Sequence, residues 1–367
     1  MNKEAGRGGL LMVTVRLADG EKLPLVVDTG SPVTAFDKSL EPRLGKRLDT
    51  GTLWNFGVEQ NVGVYALPKL YLGNVPLQMG CSNVVTFDRQ KLADHGWPSS
   101  MGFMGFLGMD VLHNYCLQLD FAAGKIRFLD DERADKKKWG EPFPLTDIGD
   151  GCFSINENLA AVKGVGSVID TGCDSSGWLR PEMLQQWTNR NSSADGKIHS
   201  PDGTLGAEIY HDLDFRDLDA KSLATDDSHI KFNGIGLRLL AENLVTLDFP
   251  NRTMYLKRTS KWPLVNKAMM AKTMTVAKSA LKFLIQLNKK NQLPGASKND
   301  KGKTTDVHFD HDDSPYLDSV TWYLWKNDDA SIYHYTVIRT SKRGAWKLRK
   351  AWRTDDSGKM LQEYAVP

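Results

Sequence analysis

The stretch "VVDTGSPVT", Val26 to Thr34, decides the fold. A short apolar run stops abruptly at Asp28, Thr29 and Gly30 and then turns polar. An ionised carboxylate at the end of a buried strand is costly unless it is paired, hydrogen-bonded or put to use. A second stretch, "SVIDTGCDS" from Ser167 to Ser175, repeats the pattern, with Val168 and Ile169 leading into Asp170, Thr171 and Gly172. The first acid therefore has a possible partner.

The repetition extends beyond the triplets, and internal repetition governs every later step of a fold assignment. "FLGMDVLHNYCLQLDFAAGKIRFL" from Phe106 aligns without a gap on "GIGLRLLAENLVTLDFPNRTMYLK" from Gly234. Gly108 matches Gly236, Leu112 matches Leu240, and Leu119-Asp120-Phe121 matches Leu247-Asp248-Phe249. Val64-Tyr65 has a counterpart in Ile209-Tyr210. Each half opens on a hairpin-like pair, Leu11 to Leu17 with Leu23 to Val27, then Cys152 to Ile155 with Val165 to Ile169. The chain reads as two copies of one β-rich unit, residues 1–140 and 141–260, followed by residues 261–367.

Composition bounds the function. The 367 residues suffice for two to three domains at roughly 150 residues each. A net charge of +2, mixed along the chain, lacks the basic face of a nucleic-acid binder. No apolar run approaches the roughly 20 residues of a membrane-spanning helix, and no leader precedes Leu10, so the chain reads as cytoplasmic, or as extracytoplasmic if its start is truncated. Cys81, Cys116, Cys152 and Cys173 have no paired spacing, which argues for free buried thiols and against a structural zinc.

Near Thr259 the pattern changes. Asn266 to Leu287 carries apolar residues at helical spacing with lysines between them, a polar Lys, Asn and Gly-rich stretch follows, and a strand meander rich in tryptophan closes the chain. This predicts a third, small α+β domain, expected to dock a protein partner or regulate access. The cluster "DVHFDHDD", Asp306 to Asp313, reads as a solvated acidic loop, and His113 as a structural histidine.

Two aspartates at equivalent points of two similar units can share one proton, because like charges about 3 Å apart cannot both ionise. One then acts as a base toward water while its partner donates to a carbonyl. No metal or cofactor is needed for such chemistry.

Paired "DTG" triplets, each preceded by β-branched apolar residues and followed by an apolar-Gly step and an "LDF", resemble the aspartic proteases. The single-chain, two-lobed arrangement is similar to the pepsin type, and the short lobes with "FLGMDVL" are similar to retropepsin units in tandem; the resemblance covers Gly9 to Lys257. It implies a mostly β fold of two pseudo-symmetric lobes and an aspartic-type endopeptidase acting on peptides or proteins. It implies Asp28 and Asp170 as the dyad, Thr29 and Thr171 as interlocking hydroxyls, and Gly30 and Gly172 as close-approach glycines. Gly108 and Gly236 would lie where a strand crosses under each loop. Thr52 to Tyr65 would be a flap, with Trp54, Phe56 or Tyr65 over the substrate, although Tyr65 also fits ordinary core packing.

The pattern departs at three places: Cys173 stands where Ser31 stands in the first half, Gly234 where an apolar residue is expected, and Arg238 opposite Asp110. The resemblance implies a hydroxyl beside each aspartate from the residue after the triplet; Ser31 supplies one to Asp28 and Cys173 only a weakly donating thiol to Asp170, which predicts that Asp170 holds the shared proton and Asp28 is the base. The alternative function is a peptide-binding module without catalysis on the same fold.

Overall fold

The computed structural model describes residues 1–55, 58–78, 80, 82–94, 102–130, 135–149, 151–156, 159, 166–191, 202–217, 232–265, 267–296, 303–306, 318–326, 331–339, 344–355 and 360–366. Strands hold 44% of the chain and helices 17%, so the protein is mostly β, built from several sheets. Two compact units form: residues 1–89 with 103–266, and residues 90–102 with 267–367.

In the first unit, Met12–Leu17 alternates strictly, burying Val13, Val15 and Leu17, and it pairs antiparallel with Lys22–Val27 in the register Met12 to Val26. Lys22–Val27 buries both faces near its end and pairs in parallel with Gly105–Leu107, Val27 opposite Leu107. These strands belong to a nine-stranded sheet. The later half repeats the arrangement in a six-stranded sheet: Phe153–Ile155 pairs antiparallel with Ser167–Ile169, which pairs in parallel with Asn233–Ile235. Each triplet thus hangs from a buried strand whose neighbour leads into the distal glycine.

A five-stranded sheet draws on both halves. Cys116–Asp120 pairs antiparallel with Asn243–Asp248, Cys116 opposite Asp248 and Asp120 opposite Leu244. One apolar core runs beneath all of this, including Val27, Leu107, Leu117, Ile169, Ile235 and Leu247. Residues 1–140 and 141–260 therefore share a sheet and a core.

Gly234 has a packing reason. A Cβ on it would meet the Trp178 ring at 2.3 Å. The matched position in the first half is Phe106, whose ring is itself buried. The indole takes the room that a side chain at 234 would need.

In the second unit the helix Lys267–Lys289 turns Val276, Ala280 and Leu284 inward at four-residue spacing. They share a core with Tyr333, Tyr335, Val337, Leu348 and Ala351 from a five-stranded antiparallel sheet and with Trp346 just before one of its strands. Trp346 Nε1–H donates to Ser279 Oγ at 3.0 Å, and Tyr335 Oη–H to the Pro294 carbonyl at 2.7 Å, so each buried polar tip has a partner. Residues 307–313 of the acidic cluster lie outside the described residues. Cys116, Cys152 and Cys173 are buried thiols outside any disulfide, and Cys81 lies outside the described residues. No described helix is long and apolar enough to cross a membrane.

Candidate active site

The parallel strand pairs end in equivalent bonds that fix the first residue of each triplet. Asp28 N–H donates to the Leu107 carbonyl at 3.1 Å, and Asp170 N–H to the Ile235 carbonyl at 2.9 Å. Each aspartate then accepts from the glycine of its own triplet: Gly30 N–H to Asp28 Oδ1 at 3.0 Å, Gly172 N–H to Asp170 Oδ1 at 2.7 Å.

The two threonines cross between the loops. Thr29 Oγ1–H donates to the Ile169 carbonyl at 2.7 Å and accepts from Thr171 N–H at 3.0 Å. Thr171 Oγ1–H donates to the Val27 carbonyl at 2.6 Å and accepts from Thr29 N–H at 3.1 Å. Both side chains are buried, so each hydroxyl satisfies one donor and one acceptor that water does not reach.

This junction brings Asp28 and Asp170 into a shared side-chain hydrogen bond. The glycines are needed for the approach. A Cβ on Gly30 would lie 2.6 Å from Asp170 Cγ, and one on Gly172 would lie 2.6 Å from Asp28 Cγ. Asp28 is 6% exposed, whereas Asp170 is half-buried. Burial first, then the charge and hydrogen bond of Asp170, hold the Asp28 carboxyl well above the ordinary range, against the pull of the Gly30 and Ser31 N–H groups.

Gly108 and Gly236 lie beneath the loops. A Cβ on Gly108 would meet the Val33 carbonyl at 2.4 Å, and one on Gly236 would meet that of Ser175 at 2.4 Å. The next residues tie down the loops: Met109 N–H donates to the Ser31 carbonyl at 2.8 Å, and Leu237 N–H to that of Cys173 at 2.7 Å.

Ser31 supports the loop differently from expectation. Its hydroxyl donates to the Val33 carbonyl at 2.9 Å, and its backbone N–H serves Asp28. The expected asymmetry rested on that hydroxyl reaching Asp28; with its one proton committed to Val33, that basis is gone. Cys173 Sγ lies 3.1 Å from Ser175 Oγ.

The hairpin Asp49–Asn55 with Val58–Ala66 contains the flap candidates, with Trp54 opposite Glu59 near its tip. Phe56 lies outside the described residues. Tyr65 is 5% exposed and belongs to the core, so it fills the packed side of the hairpin. His113 is held by the Met109 carbonyl, 2.5 Å from its Nδ1.

One feature of the site escaped the sequence. Asp110, in the turn after Gly108, accepts both Thr34 donors, the N–H at 2.9 Å and the hydroxyl at 2.6 Å, and Thr34 Oγ1 accepts from Gly108 N–H at 3.1 Å. In the other half, Ser176 gives both its donors to Asp214, at 2.8 and 2.6 Å, and Arg238 pairs with Asp214 at 3.0 Å and Asp212 at 2.6 Å. The matched positions Asp110 and Arg238 were visible as a mismatch; Asp214 carries no local signal.

Among the described residues no group of three or more His, Cys, Asp or Glu could hold a metal ion. No protein-family model matches the chain, and no curated protein matches its sequence.

Proposed function

We propose that this chain is an aspartic-type endopeptidase, with two pseudo-symmetric lobes of pepsin-like arrangement built from retropepsin-like repeats and followed by a small α+β domain. The observation that carries the reading is the hydrogen-bonded carboxyl pair of Asp28 and Asp170, joined through the crossed threonine junction. The register of Cys116–Asp120 on Asn243–Asp248 also supports it, because exchanging the two repeats leaves that pairing unchanged.

Asp28 is the more deeply buried of the pair, and that burial disfavours its charged form, so it carries the shared proton and Asp170 acts as the base. This reverses the roles expected from Ser31, and the macroscopic titration belongs to the pair. Asp170 takes a proton from a water held between the carboxyls, the water oxygen adds to the peptide carbonyl carbon, and Asp28 protonates the carbonyl oxygen. Collapse of the tetrahedral diol returns a proton to Asp28 and delivers the one on Asp170 to the departing amine. The C–N bond breaks, and the dyad regains its single proton.

The substrate class is a peptide, with the hairpin of Asp49–Asn55 and Val58–Ala66 as its cover. The test is a peptide-library digest from about pH 3 to about pH 8 with wild type, Asp28→Asn and Asp170→Asn, each checked for native circular dichroism. Wild-type cleavage lost in both variants supports the reading. Cleavage retained in either variant refutes it, and peptide capture without cleavage by wild type establishes the non-catalytic alternative.

A further inference from the structure

We propose that Arg238 is a positioning residue for the reaction, fixing the second triplet loop through Asp214 and Ser176 in place of the direct Thr34–Asp110 lock of the first half. The inference rests on the dyad reading above and goes beyond it to a residue that touches neither carboxylate.

The argument starts from donors and acceptors. The residue six positions after each aspartate, Thr34 or Ser176, is fully buried and offers an N–H and an O–H. Both need an acceptor. In the first half Asp110, two residues after the distal glycine, accepts both. Arginine at the matched position has only donors and cannot do this. Asp214 replaces it, accepting the same two donors on Oδ1, while Asp214 N–H returns a bond to Ser176 Oγ at 3.1 Å.

Asp214 is not on the distal-glycine turn; its main chain is held beside the loop by Ser176 N–H on its carbonyl at 3.1 Å and by Gly177–Leu179 pairing in parallel with Phe215–Asp217, which leaves its carboxylate in need of an anchor. Arg238 provides it, with its backbone N–H on the Ser175 carbonyl at 3.0 Å and its guanidinium forked between Asp214 and Asp212. Gly236 N–H completes the frame on the Ser176 carbonyl at 2.8 Å. The arrangement also joins the loop to the hairpin Gly203–Leu205 with Glu208–Tyr210, which runs directly into Asp212 and Asp214. The end of the loop that starts at Asp170 is therefore held by main-chain bonds to Asp214 and its strand and by a salt bridge that fixes the Asp214 carboxylate, where its counterpart relies on one side chain. Releasing it loosens the Gly172 N–H bond to Asp170 and lets the carboxyls separate.

The test uses the full chain as wild type, Arg238→Ala, Arg238→Lys, and the triple variant Ser176→Thr, Asp214→Asn, Arg238→Asp, which rebuilds the first-half lock. Two readouts are taken: kcat and KM on a peptide that wild type cleaves, and the carbon-13 NMR titration of the Asp28 and Asp170 carboxyls, assigned with the two Asp→Asn variants. In Arg238→Ala, kcat falls about ten- to a hundred-fold with KM within about threefold. The gap between the two macroscopic pKa values of the pair narrows as their repulsion weakens. Arg238→Lys, whose ammonium cannot fork, falls between, and the triple variant returns both readouts toward wild type.

A lowered melting temperature with wild-type kcat and an unchanged titration gap, in Arg238→Ala or in Arg238→Lys if the alanine variant does not fold, overturns the role. Failure of the underlying reading looks different: the wild-type carboxyls titrate independently and no peptide is cut.

Discussion

Replacing Thr171 by valine removes one hydroxyl from the junction between the two loops and nearly conserves its volume. Two groups then lose their partners in a dry site: the Thr29 N–H, which gave its proton to Thr171 Oγ1 at 3.1 Å, and the Val27 carbonyl, which accepted at 2.6 Å. An unsatisfied buried polar group costs about 1 to 3 kcal/mol, so the pair predicts a loss of about 2 to 6 kcal/mol, centred near 4. Thr171→Ser keeps both bonds and deletes one methyl, for about 1 kcal/mol. The comparison separates hydrogen bonding from packing, since valine preserves the volume and serine preserves the bonds. Against a typical total of about 5 to 15 kcal/mol, the valine change consumes a large fraction of the stability. The assay is equilibrium urea unfolding of the full chain, reading the midpoint at constant slope. Thr29→Val should behave alike, and the double variant should cost less than the sum, because both hydroxyls brace one junction. A valine variant no less stable than the serine variant refutes the argument.

Glu242 predicts a pH dependence of stability. Its side chain is fully buried and faces Arg258 at 2.7 Å, yet burial outweighs Arg258, Arg238 and His211 and pushes its pKa up from 4.5 to about 7. A carboxyl with a raised folded pKa contributes stability that is complete below the unfolded value and is lost as pH rises through about 7. The loss is about 3 kcal/mol by linkage. Wild type should therefore lose stability between about pH 5 and about pH 8 relative to Glu242→Gln in thermal melts, and parallel curves would discard the assignment. Gly172→Ala places a Cβ 2.6 Å from Asp28 Cγ, so the carboxyl must move, and the proposed peptide cleavage should drop by roughly a hundred-fold, the scale of an ångström-sized misplacement; near-native kinetics would contradict the close-approach role.

The triplets were legible because their signal is local: a strand, an acid, a hydroxyl and a glycine occupy consecutive positions, and the second occurrence doubles that signal. The hairpins that lead into them were legible from alternation, as in Val13, Val15 and Leu17. Side-chain commitments were harder to read. Nothing adjacent to Ser31 announces that its hydroxyl turns to Val33 instead of Asp28, a choice made by the local turn. Nothing near Asp214 announces Ser176, because the two meet only once the chain between them has folded back. Tyr65 looked equally suited to a flap and to a core, since an amphipathic ring fits both, and only packing decides that it is buried.

The departures of the second half from the first form a consistent set once roles are followed and not positions. Phe106 fills a space in its own half; the matched Gly234 leaves that space to the Trp178 ring. Asp110 accepts two buried donors directly; with Arg238 at the matched position, Asp214 becomes the acceptor and the arginine its anchor. Each change would be destabilising alone, one through a void and the other through two unpaired buried donors. Each is offset by a residue elsewhere in the same half. The crossed Thr29 and Thr171 junction shows no such exchange of roles, because each hydroxyl bonds to main-chain groups of the opposite loop at the point where the halves meet. A substitution there has no compensating neighbour within one half. The two stretches therefore differ least where Asp28 and Asp170 meet, each within the same three residues, Asp-Thr-Gly.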